Sequence, residues 1–240
     1  MGFLDFLTGG SPQKQVDGIK RRLMDAFRQS EERYECMDKL AKLGTPEALV
    51  ALLDRFTLRV SGPTVDEEEK AYAFKLITRW GDAAIEPLQQ FIATHDAVYF
   101  PLKSLRELAG DEVAVAALLQ AMDGTDPGYH EGLERLREIV SNLRDFQHPR
   151  VRDALVALLA SRSNEIRFFA LDGLAGYPPE DVAPHFAARL LDANESQRVK
   201  QLALELAVDK QIPLLTWLEA LTPLLPPMYR LDPEGRVQRK

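Results

Sequence analysis

The sequence predicts an all-α fold, a right-handed α–α superhelix (a solenoid) of about six stacked helix pairs. Three observations predict it. Apolar residues recur at steps of three and four along almost all of the 240 residues. The patterned stretches come in pairs, broken by Gly, Pro, Asp or Asn. The last large apolar residues before the hinges within the pairs are Leu43, Trp80, Leu108, Phe146, Leu174 and Leu206, at intervals of 28 to 38 residues. That is the spacing of stacked helix pairs. One amphipathic pair cannot bury both its apolar faces, so each pair needs a neighbour laid over it.

The elements follow in order. A leading helix is expected from about Pro12 to Gln29, with Val16, Ile19, Leu23 and Phe27 on one face and Ser11 before a first-turn proline. The first pair is Glu31–Leu43 and Pro46–Phe56, hinged at Gly44-Thr45. The second is Asp66–Trp80 and Ala83–Ala93, hinged at Gly81-Asp82. The third is Pro101–Leu108 and Glu112–Met122, hinged at Gly110-Asp111. The fourth is Tyr129–Phe146 and Pro149–Ala160, the fifth Asn164–Leu174 and Pro179–Leu191. The sixth is Glu195–Val208 and about Ile212–Leu221.

Glycine at a hinge takes the left-handed conformation that ends the first helix. The next residue, Thr45, Asp82 or Asp111, is placed to accept from the free N–H groups opening the second. Thr64–Glu67 and Asn194–Gln197 have capping-box spacing. Two longer connections, Phe56–Val65 and Asp123–Gly128, read as surface loops. Pro226-Pro227 stops the last helix. Beyond it, Asp232-Pro-Glu-Gly235 has turn chemistry, which allows either a small β-hairpin, Tyr229–Leu231 against Arg236–Gln238, or a basic tail. The organisation expected is an apolar tail over 1–10, a solenoid over 11–225 and a tail or hairpin over 226–240.

Composition removes several function classes. The net charge is −7, and it is spread evenly. Residues 1–120 hold 15 basic and 19 acidic side chains, residues 121–240 hold 15 and 18. No half is basic, so no nucleic-acid partner is expected. The one cysteine, Cys36 in a helical pattern, rules out an intrachain disulfide and a multi-thiolate zinc site, and reads as a packed thiol. No apolar run approaches the ~20 residues that span a bilayer, and MGFLDFLTGG is no signal peptide. A cytoplasmic location is expected. Phe3, Leu4, Phe6 and Leu7 form a short apolar plug with a weak prospect of membrane-surface contact, or of docking on the first helices or on a partner.

At Ser163–Gly176, SNEIRFFALDGLAG, the residues Asn164, Ile166, Arg167, Ala170 and Leu174 resemble a HEAT repeat of the phycobilin-lyase-like type. Lys39–Leu53 and His148–Leu159 resemble the second half of such a repeat. The whole layout is similar to that of uncharacterised bacterial HEAT-repeat proteins. The resemblance covers about residues 30–221 and implies a curved solenoid with second helices on the concave face, binding other proteins. It also implies that Arg167 bridges neighbouring repeats.

Enzyme chemistries found on related solenoids fit less well. Deoxyhypusine hydroxylases use several His-Glu pairs for two irons, whereas His95, His130, His148 and His185 supply one such pair, His130-Glu131. No separate bilin signature is present. DNA glycosylases of this fold need a basic concave face; the most basic stretch here, Arg144, Arg150, Arg152, Arg162 and Arg167, reads as charge pairing around helix ends. Asp66–Glu69 reads as an acidic helix start favoured by the helix dipole. No phosphate-loop, dinucleotide-binding or nucleophile-elbow motif occurs. The reading is therefore a non-enzymatic scaffold for a protein partner, without catalytic residues, cofactor or metal. Its expected binding residues on the second helices are Glu86, Gln90, Gln120, Arg152 and Arg189. The alternative is a helper enzyme, bilin-lyase-like or DNA-glycosylase-like.

Overall fold

The structure, a computed structural model, describes residues 12–125 and 130–240. The apolar plug Phe3–Leu7 and the end of the Asp123–Gly128 connection lie outside them. The described residues form an all-α fold with one two-stranded antiparallel hairpin near the C-terminus. The chain divides into two compact units, Met1–Ala121 and Met122–Lys240.

In the first unit the helices are α1 Pro12–Leu23, α2 Ser30–Leu43, α3 Pro46–Leu53, α4 Pro63–Thr78 and α5 Ile85–Thr94; α6 spans Tyr99–Asp123. Sequence neighbours pack together, α1 on α2 and α2 on α3. Helices two apart pack as well: α1 on α3, α2 on α4 and α3 on α5. First helices thus stack on first helices and second on second, the arrangement a repeated helix pair requires. The core strip runs through Leu23, Met37, Leu40, Leu52, Ile77, Leu88 and Ile92, all essentially inaccessible. Each such side chain contributes about 1.5–3 kcal/mol by leaving water.

The glycines of the three hinges all stand at positive φ. Gly44 sits at φ 63°, and the Thr45 hydroxyl accepts from the Ala48 N–H. Gly81 has φ 57°, but Asp82 is no cap; α5 opens instead through a 3₁₀ turn, Gly81–Ala84. Gly110 breaks α6 at φ 80°, ψ 177°, where only glycine is unstrained. The Asp111 carboxylate goes to Arg106, 2.6 Å from its Nε.

Two further expectations for this unit fail. The leading helix ends at Leu23, and Phe27, expected on its core face, is 98 % exposed. The Asp25 carboxylate accepts from the Phe27 N–H at 3.0 Å, and Arg33 Nη1 donates to the Arg28 carbonyl. Both hold this stretch in turns, in competition with helical bonding. Helix α4 begins at Pro63, so Thr64 is inside the helix rather than capping it.

In the second unit the helices are α7 His130–Leu143, α8 Pro149–Leu158, α9 Asn164–Leu174, α10 Pro179–Leu191, α11 Gln197–Asp209 and the single turn α12 Leu218–Leu221. Again α8 packs on α9 and α10 on α11, while α7, α9 and α11 stack in a row and α10 meets α12. The His148 ring accepts from the Arg150 N–H at 3.1 Å, opening α8. Ser163 and Ser196 cap α9 and α11. Asn194, expected as the cap of α11, is not; Ser196 lies directly before the first helical residue.

The sixth pair is the largest departure. Its second helix shrinks to α12 flanked by 3₁₀ turns at Leu215–Trp217 and Thr222–Leu224. Pro213 has no N–H for a helical bond, and the Leu214 N–H donates to the Gly235 carbonyl at 2.9 Å. That bond ties the chain to the hairpin, β1 Tyr229–Leu231 and β2 Val237–Arg239, with Leu231 opposite Val237. The hairpin therefore forms, shifted by one residue from the expected second strand. Tyr229 and Val237 are buried, and β2 packs on α11.

Candidate functional site

Two buried ionic clusters dominate the polar interior. In the first, Glu69 on α4 receives Arg33 of α2 through two parallel bonds, Nε to Oε2 at 2.8 Å and Nη2 to Oε1 at 2.7 Å. Arg55, in the turn after α3, adds Nε to Oε2 at 3.0 Å and reaches Asp66 through Nη2 at 2.9 Å. Ser30 donates to Glu69, and Lys70 to Asp66. Arg55 and Glu69 are wholly buried.

The second cluster repeats this plan. Glu195, just before α11, receives Arg167 of α9 through Nε at 2.9 Å and Nη2 at 2.7 Å, and Arg189 of α10 at 3.2 Å. Each clamp thus joins an arginine from a first helix and one from the end of the following second helix or the turn after it to a glutamate of the next pair. The two arginines are 22 residues apart in both. Arg167 bridges neighbouring pairs as the resemblance implies.

Burial pushes the Glu69 and Glu195 carboxyls up, but hydrogen bonds from Arg33 and Ser30, and from Arg167, outweigh it, and both lie below the ordinary carboxylate range. Asp66 is lowered likewise, against its burial, by Lys70 and Arg55. Paired, hydrogen-bonded ions of this kind are interior architecture. Sequence reading treated Glu69 as part of an acidic helix start and passed over Arg33 and Arg55. The available signal was helical phase: Arg33 shares a stripe with Cys36, Met37 and Leu40, and Glu69 one with Ala73 and Leu76.

The expected binding residues are distributed over both units. Glu86 and Gln90 on α5 are exposed, and Gln90 Nε2 donates to Glu86 at 3.2 Å. Gln120, on the second half of α6, is exposed. Arg152 on α8 is half-buried, 3.2 Å from Asp153 and 3.6 Å from Asp181 of α10. Arg189 is held by Glu195 and by the Leu159 carbonyl at 3.3 Å, inside the second clamp. Glu86 and Gln90 are brought into contact with each other; Arg152 lies in the electrostatic neighbourhood of His185, whose pKa is lowered by burial first and by Arg152 second. Cys36 is buried, and burial pushes its thiol up, which keeps it protonated.

An open groove of about 730 Å³ lies along α1 and α2. Lys14, Arg22, Lys39 and Lys42 line it over Ile19 and Leu43, with Gln15 and Gly18 completing the wall. Among the described residues its lining contains four cations and no carboxylate. Sequence reading missed it because its charges come from two helices of an acidic chain. Among the described residues no group of three or more His, Cys, Asp and Glu could hold a metal ion, and no helix is long and apolar enough to cross a membrane.

Clamped, stacked helix pairs define the class: an all-α protein of helical-repeat type. No family model matches the chain, and no curated protein does. Among solved structures it is similar to human deoxyhypusine hydroxylase in complex with glycerol, at 18 % identity over 87 % of this chain and 89 % of that one, with a TM-score of 0.34. It is also similar to an engineered protein, at 16 % identity over 89 % of this chain and 64 % of that one, with a TM-score of 0.36.

Proposed function

We propose that this chain is a non-enzymatic scaffold of HEAT-like repeats that binds a protein partner in the cytoplasm through its second helices. The observation that carries the reading is the two-sidedness of those helices. On α5, Leu88, Phe91 and Ile92 are buried while Glu86 and Gln90 face water. On the second half of α6, Leu118 and Ala121 are buried while Gln120 faces water. Val50, on α3 against α5, adds an exposed apolar side chain at 51 %. Polar rows with an apolar spot suit a protein interface. The bridge from Arg167 to Glu195 supports the HEAT-like assignment of the repeats.

The test is affinity purification from the native cell with the parent chain and a Glu86→Arg/Gln120→Arg variant, read by quantitative mass spectrometry. The expected result is a protein retained by the parent and depleted with the variant. Equal recovery with both, or no specific protein with either, overturns the second-helix interface. Likeness in fold to an enzyme, at the TM-scores above, gives the helper-enzyme alternative no argument.

A further inference from the structure

The α1–α2 groove asks for a ligand in a way that the packing of the fold does not explain. Lys14, Gly18 and Arg22 recur every fourth residue, so they share one face of α1 with the glycine between the two cations. A glycine within a helix costs about 1 kcal/mol relative to alanine. Gly18 has ordinary helical backbone, and a Cβ added there would meet no atom within 4 Å. Neither backbone conformation nor crowding requires glycine at this position. What glycine provides is room over the groove floor for another chain to come close to α1.

The charges say which kind of chain. On α2, Lys39 and Lys42 stand one turn apart across the groove. Lys39 is bonded to Glu35 at 3.1 Å in an exposed pair, which a competing carboxylate can replace. The floor is apolar, with Ile19 buried and Leu43 half-buried. No aromatic side chain lines the groove to stack a base, and a chain of net charge −7 repels a long polyanion. A short acidic segment meets the local positive charge without that penalty.

We propose that the α1–α2 groove is a docking site for an acidic segment of a partner protein. Its carboxylates pair with Arg22 and Lys42, its backbone passes over Gly18, and an apolar side chain rests on Ile19 and Leu43. This goes beyond the second-helix interface and uses none of its residues.

The experiment is fluorescence polarisation with a labelled synthetic peptide alternating glutamate and leucine, and with a single-stranded oligonucleotide of equal charge. The parent is expected to bind the peptide more tightly than the oligonucleotide, and less tightly as salt rises. Arg22→Glu/Lys42→Glu is expected to weaken peptide binding about tenfold or more. Gly18→Leu is expected to do the same by filling the groove, while its melting temperature holds or rises because leucine is the better helix former. Glu86→Arg/Gln120→Arg should leave peptide binding unchanged, which separates this site from the scaffold interface. Three results overturn the proposal: no peptide binding by the parent, equal binding by parent and groove variants, or tighter binding of the oligonucleotide.

Discussion

Arg33 and Glu69, 36 residues apart in sequence, meet through two parallel hydrogen bonds of 2.8 and 2.7 Å with both side chains shut off from water. Glu69 also takes Arg55 and Ser30, so one carboxylate ties α2, the turn after α3, and α4. Every lone pair that burial takes from water finds a donor, the condition under which a buried ion is tolerated.

Removing that carboxylate takes from the buried Arg33 guanidinium the carboxylate that holds it and leaves the fully buried Arg55 with Asp66. Glu69→Ala is expected to destabilise the first unit by about 3–5 kcal/mol, the cost of an uncompensated buried charge. Urea denaturation followed by circular dichroism measures it. A midpoint within error of the parent's would mean that water or a rearranged acid replaces Glu69.

Acid should act on the same groups. Glu69, Asp66 and Glu195 have folded pKa values below their ordinary ones, of 4.5 for the glutamates. At neutral pH all three are ionised in the folded and unfolded chain alike, so their contribution is complete. As pH falls through the ordinary range the unfolded chain takes up protons first, and stability drops until the folded values are passed. Urea midpoints are expected to fall modestly below about pH 7, where the unfolded chain protonates His185 ahead of the folded one, and more steeply below about pH 5. Glu69→Gln, which removes one titrating carboxyl, should decline less steeply; parallel curves would show that Glu69 does not contribute.

The C-terminal hairpin depends on a glycine. Gly235 has φ 75°, and a Cβ there would lie 2.2 Å from the Leu215 nitrogen. Backbone cannot yield as a side-chain tip can. Gly235→Ala is expected to lift the hairpin from the Leu215–Trp217 turn, breaking the bond between Leu214 and Gly235, at a cost of about 1–3 kcal/mol. Amide hydrogen exchange should accelerate at Leu214 and through Tyr229–Arg239 while α9 and α10 keep their protection. Unchanged exchange at Leu214 would show that the docked turn tolerates the side chain.

Much of the helix layout was legible in local chemistry. The α9 and α10 bounds match the expected ones, because a serine cap precedes α9 and Pro179 opens α10. Gly44, Gly81 and Gly110 mark breaks because each stands at positive φ. The reading went astray where a local pattern met a competing contact. Phe27 fits the α1 stripe in phase, yet the Asp25 and Arg33 bonds turn the chain first. The Ile212–Leu221 stretch reads as a helix until Pro213 and the hairpin take its opening hydrogen bonds.

The binding surfaces divide in the same way. Exposure of Glu86, Gln90 and Gln120 follows from their phase on amphipathic helices. The employment of Arg189 does not, since its carboxylate partner Glu195 lies outside the helix that carries it. Nor does the groove, whose cations come from two helices and share one wall only once those helices pack.

By itself the sequence determined the bounds of α9 and α10, the breaks at Gly44, Gly81 and Gly110, and the apolar stripe of most helices. Those depend on caps, glycines and a 3.6-residue period, all felt within a few residues of chain. Tertiary structure alone decided which interior charges meet and which cations share a groove. That choice rests on contacts between residues 28 and 36 apart, and stacking of one helix pair on the next is what brings such residues within hydrogen-bonding reach.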